Sequence, residues 1–349
     1  KQTIRFLHPP VIQGAASVVG KKEGEGPYGE WFDCIEKDPK MGGDSWEEAE
    51  GKFQEKAAKL AIEHAGLQQK EIRYIVAGDL LGQLMASSFG LLSLQIPLFG
   101  VYGACSTMGE SMGIAAMIVE GGFADHVLAL TSSHFASAEK QFRFPLGYGN
   151  QRPKASTWTA TGAVVISKSV LEEEKESHKI GQNYSKEALK EKGKVHIEGI
   201  TTGKVIDFGI KDSMNMGACM APAAAEVIAQ NLHDLGVKPD YYDKIITGDL
   251  GKVGKDIVLD YLKAKGFDIS KQYMDCGIEI YGEEQQVHAG GSGCGCSAVM
   301  LTGYILKMLE KKKWHRILFV PTGALLSQVS YNEGNSVPGT AHAVILTSC

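Results

Sequence analysis

Cys105 is the residue whose surroundings most suggest chemistry. It stands in Gly103-Ala104-Cys105-Ser106-Thr107-Met108-Gly109, directly after the apolar run 97–102. Behind it Met108, Met112, Ala115, Ala116 and Val119 recur at helical spacing, and Gly121-Gly122 marks the helix end. A thiol at such a strand-to-helix turn meets free N–H groups and the positive end of a helix dipole, which lower its pKa and attract anions. Gly103 lets the backbone approach closely, and Ser106 and Thr107 add hydroxyl donors. Three roles fit the position: a buried structural thiol, a nucleophile, or one wall of an anion pocket that does no covalent chemistry.

Other candidates cluster around the same kind of strand end. Asp79 and Asp249 follow two matching apolar strands, where each can cap a helix or face a pocket and offer oxygen to calcium. His134 ends the run 127–133, and its bland role is packing. Arg143, Arg152 and Lys154 lie in a polar loop whose default is solvent, with Arg143 the most interesting of the three. Gly290-Gly291-Ser292-Gly293-Cys294-Gly295 lacks both the dinucleotide fingerprint and the Lys-Ser/Thr of a phosphate loop, so a tight backbone turn is expected there. Cys294 and Cys296 have no second cysteine pair, which argues against structural zinc.

The elements that position these residues repeat. At an offset of 170, Gly66-Leu67 matches Gly236-Val237 and Ile75-Val76-Ala77-Gly78-Asp79-Leu80 matches Ile245-Ile246-Thr247-Gly248-Asp249-Leu250. Ile118-Val119-Glu120 and His126-Val127-Leu128 return 190 residues later, and Gly162-Ala163-Val164-Val165-Ile166 returns 180 residues later. Each half reads as helix, strand, helix, strand and closing strand. The organisation is therefore a first half over 1–170, a charged connector over 171–194 and a second half over 195–349. Short apolar strands alternating with helices imply parallel βα units, two halves packing around shared helices.

Composition excludes several classes. Lys+Arg is 36 against Asp+Glu 41, a net charge of −5 that suits a duplex nucleic-acid binder poorly. Seven scattered cysteines in 349 residues do not form a disulfide framework, and no signal-peptide core opens the chain, so a reducing compartment is expected. The absence of an opening Met suggests that Lys1 is not the native start. The stretch 80–109 carries no charge, yet Pro97 and five glycines break any spanning helix. A buried helix followed by a buried strand at 97–102 is the better expectation. Glycine, 42 of 349 residues, has no three-residue period and points to tight turns and close packing.

The duplicated βα half with a cysteine opening its inner helix resembles the thiolase-like superfamily. That resemblance implies an α/β, five-layer αβαβα fold and a homodimer. Gly78-Asp79-Leu80-Leu81, Gly103-Ala104-Cys105-Ser106-Thr107, Thr131-Ser132-Ser133-His134 and Gln141-Phe142-Arg143-Phe144-Pro145 narrow it further. So do Met220-Ala221-Pro222-Ala223-Ala224-Ala225, Ala289-Gly290-Gly291-Ser292-Gly293-Cys294 and Thr322-Gly323-Ala324-Leu325-Leu326-Ser327. Together they resemble the stage V sporulation protein AD family over nearly the whole chain. The resemblance implies a peripheral protein on the cytosolic face of the forespore and spore inner membrane, with integral membrane proteins of the same operon as partners. It implies binding of dipicolinic acid (pyridine-2,6-dicarboxylate), alone or as its calcium chelate, supporting uptake in sporulation and release in germination.

Catalysis is not expected. Condensing enzymes of this superfamily pair the cysteine with a His after the strand that is here 244–247, and with an Asn or His in the Gly-rich loop that is here 289–293. Gly248-Asp249-Leu250 and Ala289-Gly290-Gly291-Ser292-Gly293 hold neither, although His288 stands one residue before the loop as a displaced substitute. Cys105 is then a vestigial nucleophile position. No cofactor or protein-bound metal is expected beyond calcium carried with the ligand. A planar dianion needs donors, a cation and an apolar wall. Cys105, Ser106, Thr107, His134, Arg143, Asp79 and His288 are the candidate ligand contacts, with the Met108–Met112 helix face as wall. The competing readings are a Cys105-dependent acyl-transfer or condensing enzyme and a purely structural adaptor of a membrane complex.

Overall fold

The structure, a computed structural model, describes residues 1–137, 155–157 (backbone alone), 159–170, 193–212, 215–285, 287 and 289–348. Arg143, Arg152, Lys154, His288 and most of the connector at 171–194 lie outside the described residues.

Ten strands form the spine. In the first half they are β1 (Val11–Gly20), β2 (Tyr74–Asp79), β3 (Leu98–Gly100), β4 (His126–Ser133) and β5 (Ala160–Ser167). In the second they are β6 (Val195–Thr201), β7 (Lys244–Thr247), β8 (Tyr273–Asp275), β9 (Arg316–Val320) and β10 (Ala343–Ser348). The spatial order is β3-β2-β4-β5-β1 in one half and β8-β7-β9-β10-β6 in the other. Each strand of the first half thus has its counterpart five places later. The directions match as well: β3, β2 and β4 run parallel, as do β8, β7 and β9, while β5 with β1 and β10 with β6 are antiparallel. The halves join where β1 meets β6 over Val11–His196 and Ile12–Val195.

Both faces of the sheets are buried, and the period of two along each strand sorts the side chains. Ile75, Ala77, Leu128 and Leu130 face the outer helix α1 (Trp46–His64), packing on Phe53, Ala57 and Ala61. Val76, Val127 and Ala129 face inward, onto α3 (Thr107–Glu120). On the second half Ile245, Leu318 and Val320 face the outer helix α4 (Met216–Leu235), while Ile246, Ile317 and Phe319 turn inward. The inner layer is completed by α5 (Cys294–Val299), which continues through a π-helical turn at Met300–Ile305 into Leu306–Glu310. The five layers αβαβα follow: α1, a sheet, α3 with α5, a sheet, α4.

The matching glycines have one local cause. Gly66 and Gly236 follow α1 and α4 with φ of +70° and +67°. Leu67 N–H then reaches Ile62 O at 3.2 Å and Val237 N–H reaches Leu232 O at 3.0 Å, closing the last helical turn in both halves.

Three expectations change. The closing strands are antiparallel to the strands before them, β5 to β4 and β10 to β9, and do not continue the parallel βα series. Each half also opens with a strand, β1 and β6, that the helix-first reading of the repeat leaves out. The run 97–102 holds only the three-residue β3, and it is an edge strand rather than a buried one. Phe99 is 50% exposed, and Met85, Phe89 and Leu92 beside it are exposed too. The helix before it, α2 (Met85–Gly90), is accordingly half open to solvent.

Candidate functional site

Strand β3 delivers the chain to Gly103, and Ala104 then takes a left-handed conformation with φ +49°. That is a rare, strained choice for a residue with a Cβ, of the kind that collects at functional turns. A single 3-10 turn, Ala104–Ser106, leads into α3. Glycines let the neighbours close on it. A Cβ at Gly78 would fall 2.1 Å from Val101 O, and one at Gly323 would fall 2.1 Å from Gly103 O. The short second-half strand Thr322–Ala324 therefore presses directly on the first half's cysteine turn.

The hydroxyls of the turn are occupied by the turn itself. Ser106 Oγ donates to Gly103 O at 2.7 Å, and Thr107 Oγ1 donates to Ala104 O at 2.6 Å while accepting Gly103 N–H at 3.2 Å. In this state neither has a proton left for a ligand, so the expected pair of donors is an internal cap.

Cys105 is buried, and its neighbour from the other half is a carboxyl group. Asp249 accepts the Gly293 N–H at 2.9 Å through Oδ2. Its Oδ1 is buried with no hydrogen-bond partner and lies beside Cys105 and Thr322, whose Oγ1 is also without a partner. Burial pushes Asp249 up to about 7. Burial, then the charge of Asp249, pushes the Cys105 thiol well above its ordinary value. This is the reverse of what the helix start alone would do: the dipole of α3 is outweighed by desolvation and by an acid across the gap. A second thiol, Cys294 at the start of α5, joins Cys105 and Leu80 in one apolar contact group. Cys294 Sγ donates to Ser132 O at 2.9 Å, and Gly295 N–H reaches Ser133 Oγ at 3.1 Å.

Asp79 has another fate. Oδ1 accepts Leu81 N–H at 3.0 Å, and Oδ2 accepts Ser87 N–H at 3.0 Å and Ser87 Oγ at 2.7 Å. Beneath it Glu50 accepts Ser132 Oγ at 2.7 Å and the Ser137 hydroxyl, and Gln54 Nε2 bridges Ser87 Oγ at 3.0 Å and Ser132 Oγ at 2.7 Å. Burial, then the charge of Asp79, pushes Glu50 up to about 8, which favours its protonated form at neutrality. With its oxygens taken, Asp79 is a capping residue and not a calcium ligand here. Among the described residues no group of three or more His, Cys, Asp or Glu side chains is placed to hold a metal ion.

His134 also turns away from the thiol. Its Nε2 pairs with Pro39 O at 2.8 Å and its Nδ1 accepts Ala136 N–H at 3.2 Å, which fixes the neutral tautomer. Burial lowers its pKa. The ring stacks on Phe135 at 5.0 Å and packs against Trp46 at 5.5 Å. Cys296 Sγ points toward Gly248 O at 4.0 Å, apart from the Cys294 bond to Ser132 O.

Of the expected contacts, the structure brings Cys105, Ser106 and Thr107 together, places Asp79 in a buried carboxyl pair, and puts His134 in an aromatic cluster. Asp249, read from the sequence as able to face a pocket, lies beside Cys105, and the structure adds Thr322, Cys294 and Glu50. Two of these had a legible signal. Cys294 falls one residue from the mate of Cys105 at the 190 offset, and Glu50 and Gln54 extend the buried stripe of Ala57 and Ala61 at helical spacing. Among the described residues no helix is long and apolar enough to cross a membrane.

Comparison with known proteins agrees with this geometry. A family model for stage V sporulation protein AD matches residues 1–347. The stage V sporulation protein AD of Bacillus subtilis (strain 168) is 42% identical over 347 residues, covering 99% of this chain and 96% of that protein. Among solved structures, 3-oxoacyl-[acyl-carrier-protein] synthase III from Aquifex aeolicus VF5 is similar with a TM-score of 0.57 at 15% identity, covering 97% of this chain and 99% of the other. The tetronic acid condensing enzyme AbyA1 gives 0.59 at 15% identity, with the same 97% and 99% coverage. A singly substituted OleA of Xanthomonas campestris with cerulenin gives 0.57 at 14% identity over 98% of both chains. These structures share the thiolase-like fold.

Proposed function

This chain belongs to the stage V sporulation protein AD family, and on that footing we propose that it is a non-catalytic binding protein for dipicolinic acid, free or as its calcium chelate. Family membership indicates a role at stage V of sporulation. The finer reading is that the protein supports uptake of the ligand into the developing spore and its release in germination. It would work at the cytosolic face of the inner membrane with integral partners of its operon. The observation that carries the non-catalytic part is the carboxyl of Asp249 beside Cys105. A nucleophilic thiol needs a base or a cation to make it a thiolate. Here burial and an acid keep the sulfur protonated, a neutral S–H at a turn. The ligand would meet that S–H, the Thr322 hydroxyl and the acid form of Asp249, with Arg143 and His288 as the remaining candidate cations.

A homodimer is part of the proposal. The β3 edge and α2 expose Met85, Phe89, Leu92 and Phe99 together, while the matching edge of the second half, β8, keeps Met274 and Asp275 buried. An unpaired edge beside apolar side chains is a pairing surface for a second copy.

Calorimetry with dipicolinate, with and without calcium, tests the reading. Cys105→Ala is expected to keep most of the binding and the bulky Cys105→Trp to abolish it. Equal loss in both would show that the sulfur itself is required. Stoichiometric acylation of Cys105 by an acyl-CoA, with turnover, would return the protein to the enzymes.

A further inference from the structure

We propose that the end of the second half's inner helix, residues 311–314 with Trp31 and Tyr304 beside them, is a docking surface for an anionic lipid bilayer. The first half supplies the comparison. At the 190 offset the two inner helices end in the same way. Gly122 N–H reaches Val119 O and Phe123 N–H reaches Ile118 O, both at 3.0 Å. Lys312 N–H reaches Leu309 O and Lys313 N–H reaches Met308 O, both at 2.9 Å. The left-handed residue is Gly122, φ +74°, in one half and Lys312, φ +55°, in the other. Glycine takes that conformation without strain, and a residue with a Cβ does not. The fold therefore favours glycine at 312, yet the chain sets a lysine there between Lys311 and Lys313, where the first half has Gly121 and Phe123. A helix end attracts cations, but the last turn of α3 closes with none, so the dipole does not account for the run. Strain accepted at an exposed position points to a use outside the fold.

The charges are unspent and stand over aromatic rings. Lys311, Lys312 and Lys313 are exposed, and among the described residues no carboxylate pairs with them. Lys311 Nζ lies 4.7 Å from the centre of the Trp31 ring, and Lys307 Nζ donates to Trp31 O at 2.7 Å. Half-buried rings continue from there: Trp31 meets Tyr304 at 5.2 Å, and Tyr304 meets Trp314 at 5.8 Å. Two of the chain's four tryptophans are thus on this face. Tyr304 sits in the π-helical turn Met300–Ile305, a form that collects at functional positions. Of the nearby acids, Glu310 faces Lys307 and Lys194, and its burial raises its pKa and favours the uncharged form. Glu279 stands further along, accepting the Tyr28 hydroxyl at 3.3 Å. Ammonium groups beside indole and phenol rings match a bilayer surface, where cations meet phosphates and amphipathic rings settle at headgroup level.

The full chain is sedimented with vesicles of equimolar phosphatidylglycerol and phosphatidylcholine, and with phosphatidylcholine vesicles alone, in about 0.1 M NaCl. These vesicles hold neither protein nor dipicolinate, so the outcome is independent of the ligand and of the integral partners proposed above. The wild type is expected to bind the first kind and not the second, and about 0.5 M NaCl should release it. The triple variant Lys311→Gln/Lys312→Gln/Lys313→Gln should bind at least tenfold more weakly. Lys312→Gly separates fold from use: it should raise the urea midpoint by relieving the left-handed lysine, and still weaken vesicle binding severalfold. No binding to the phosphatidylglycerol vesicles, equal binding to phosphatidylcholine alone, or wild-type binding in the triple variant or in Lys312→Gly would overturn the proposal. So would displacement from the vesicles by a single-stranded oligonucleotide, which would assign the lysines to nucleic acid.

Discussion

Asp79 and Asp249 sit at matching strand ends of a duplicated fold, and they have diverged in what they hold. Asp79 fills its valences within its own half, on Leu81 and Ser87. Asp249 reaches one partner, Gly293 N–H, and leaves Oδ1 bare beside Cys105. The difference has a local origin. In the second half Asp275 does the capping: it accepts Leu250 N–H at 3.0 Å, Gly251 N–H at 3.2 Å, Ile278 N–H at 3.0 Å and Thr247 Oγ1 at 2.7 Å. With that loop already tied, the carboxyl of Asp249 is released to face the other half. Duplication supplied two equivalent acids, and one extra acid nearby made one of them available to a site.

The largest expected effect tests this division of labour. Asp79→Ala strands two buried N–H groups and a hydroxyl, each of which loses a partner without gaining water. A loss of about 3 kcal/mol follows, read as a fall in the urea midpoint with unchanged slope. At pH 5, where Asp249 keeps its proton, Asp249→Ala strands one N–H and should cost about 1 kcal/mol. Equal losses would erase the distinction between a capping acid and a site acid.

The duplication itself was legible from Gly66 and Gly236, because a left-handed glycine is required wherever the same helix ending recurs. The five layers followed from strands apolar on both faces and from the thiolase-like resemblance. The fate of individual polar groups was not legible. Nothing in the local string Gly248-Asp249-Leu250 says that Asp275, 26 residues on, will take over its cap. The hydroxyls of Ser106 and Thr107 looked like donors because their types are right; only the backbone path through a left-handed Ala104 shows them turned onto Gly103 O and Ala104 O. His134 was visible as a strand-end imidazole, but its service to Pro39 and Phe135 depends on a loop brought from far earlier in the chain.

A smaller effect separates the two acids by pH. In the folded protein Asp249 titrates at about 7, against an ordinary aspartate near 4. Between those values the folded chain keeps a proton that the unfolded chain has released, so this group's contribution to stability falls as pH rises and its cost is complete above 7. Asp249→Asn removes that cost. Relative to wild type the variant should gain about 2 kcal/mol between pH 5 and pH 7, measured by chemical denaturation at each pH. The comparison with wild type cancels Glu50, which titrates higher, at about 8. A difference between variant and wild type that does not move with pH would mean that Asp249 is ionised throughout.

The finest distinction is between the two thiols. Apart from burial, Cys105 is held protonated first by the charge of Asp249, whereas Cys294 answers to Glu50 and Asp79 before it answers to Asp249. Each sulfur therefore reports on the acid of a different half. Iodoacetamide labelling followed by peptide mass spectrometry should show Cys105 reacting severalfold faster in Asp249→Asn, since removing one nearby charge is worth less than about 1.4 kcal/mol, a factor of ten, across a partly screened gap. Cys294 should change by less than twofold. If both thiols accelerate together, the substitution has loosened the seam between the halves, and opening rather than charge governs the sulfur. If Cys105 alone accelerates, the acid across the gap is what keeps this turn from behaving as a nucleophile.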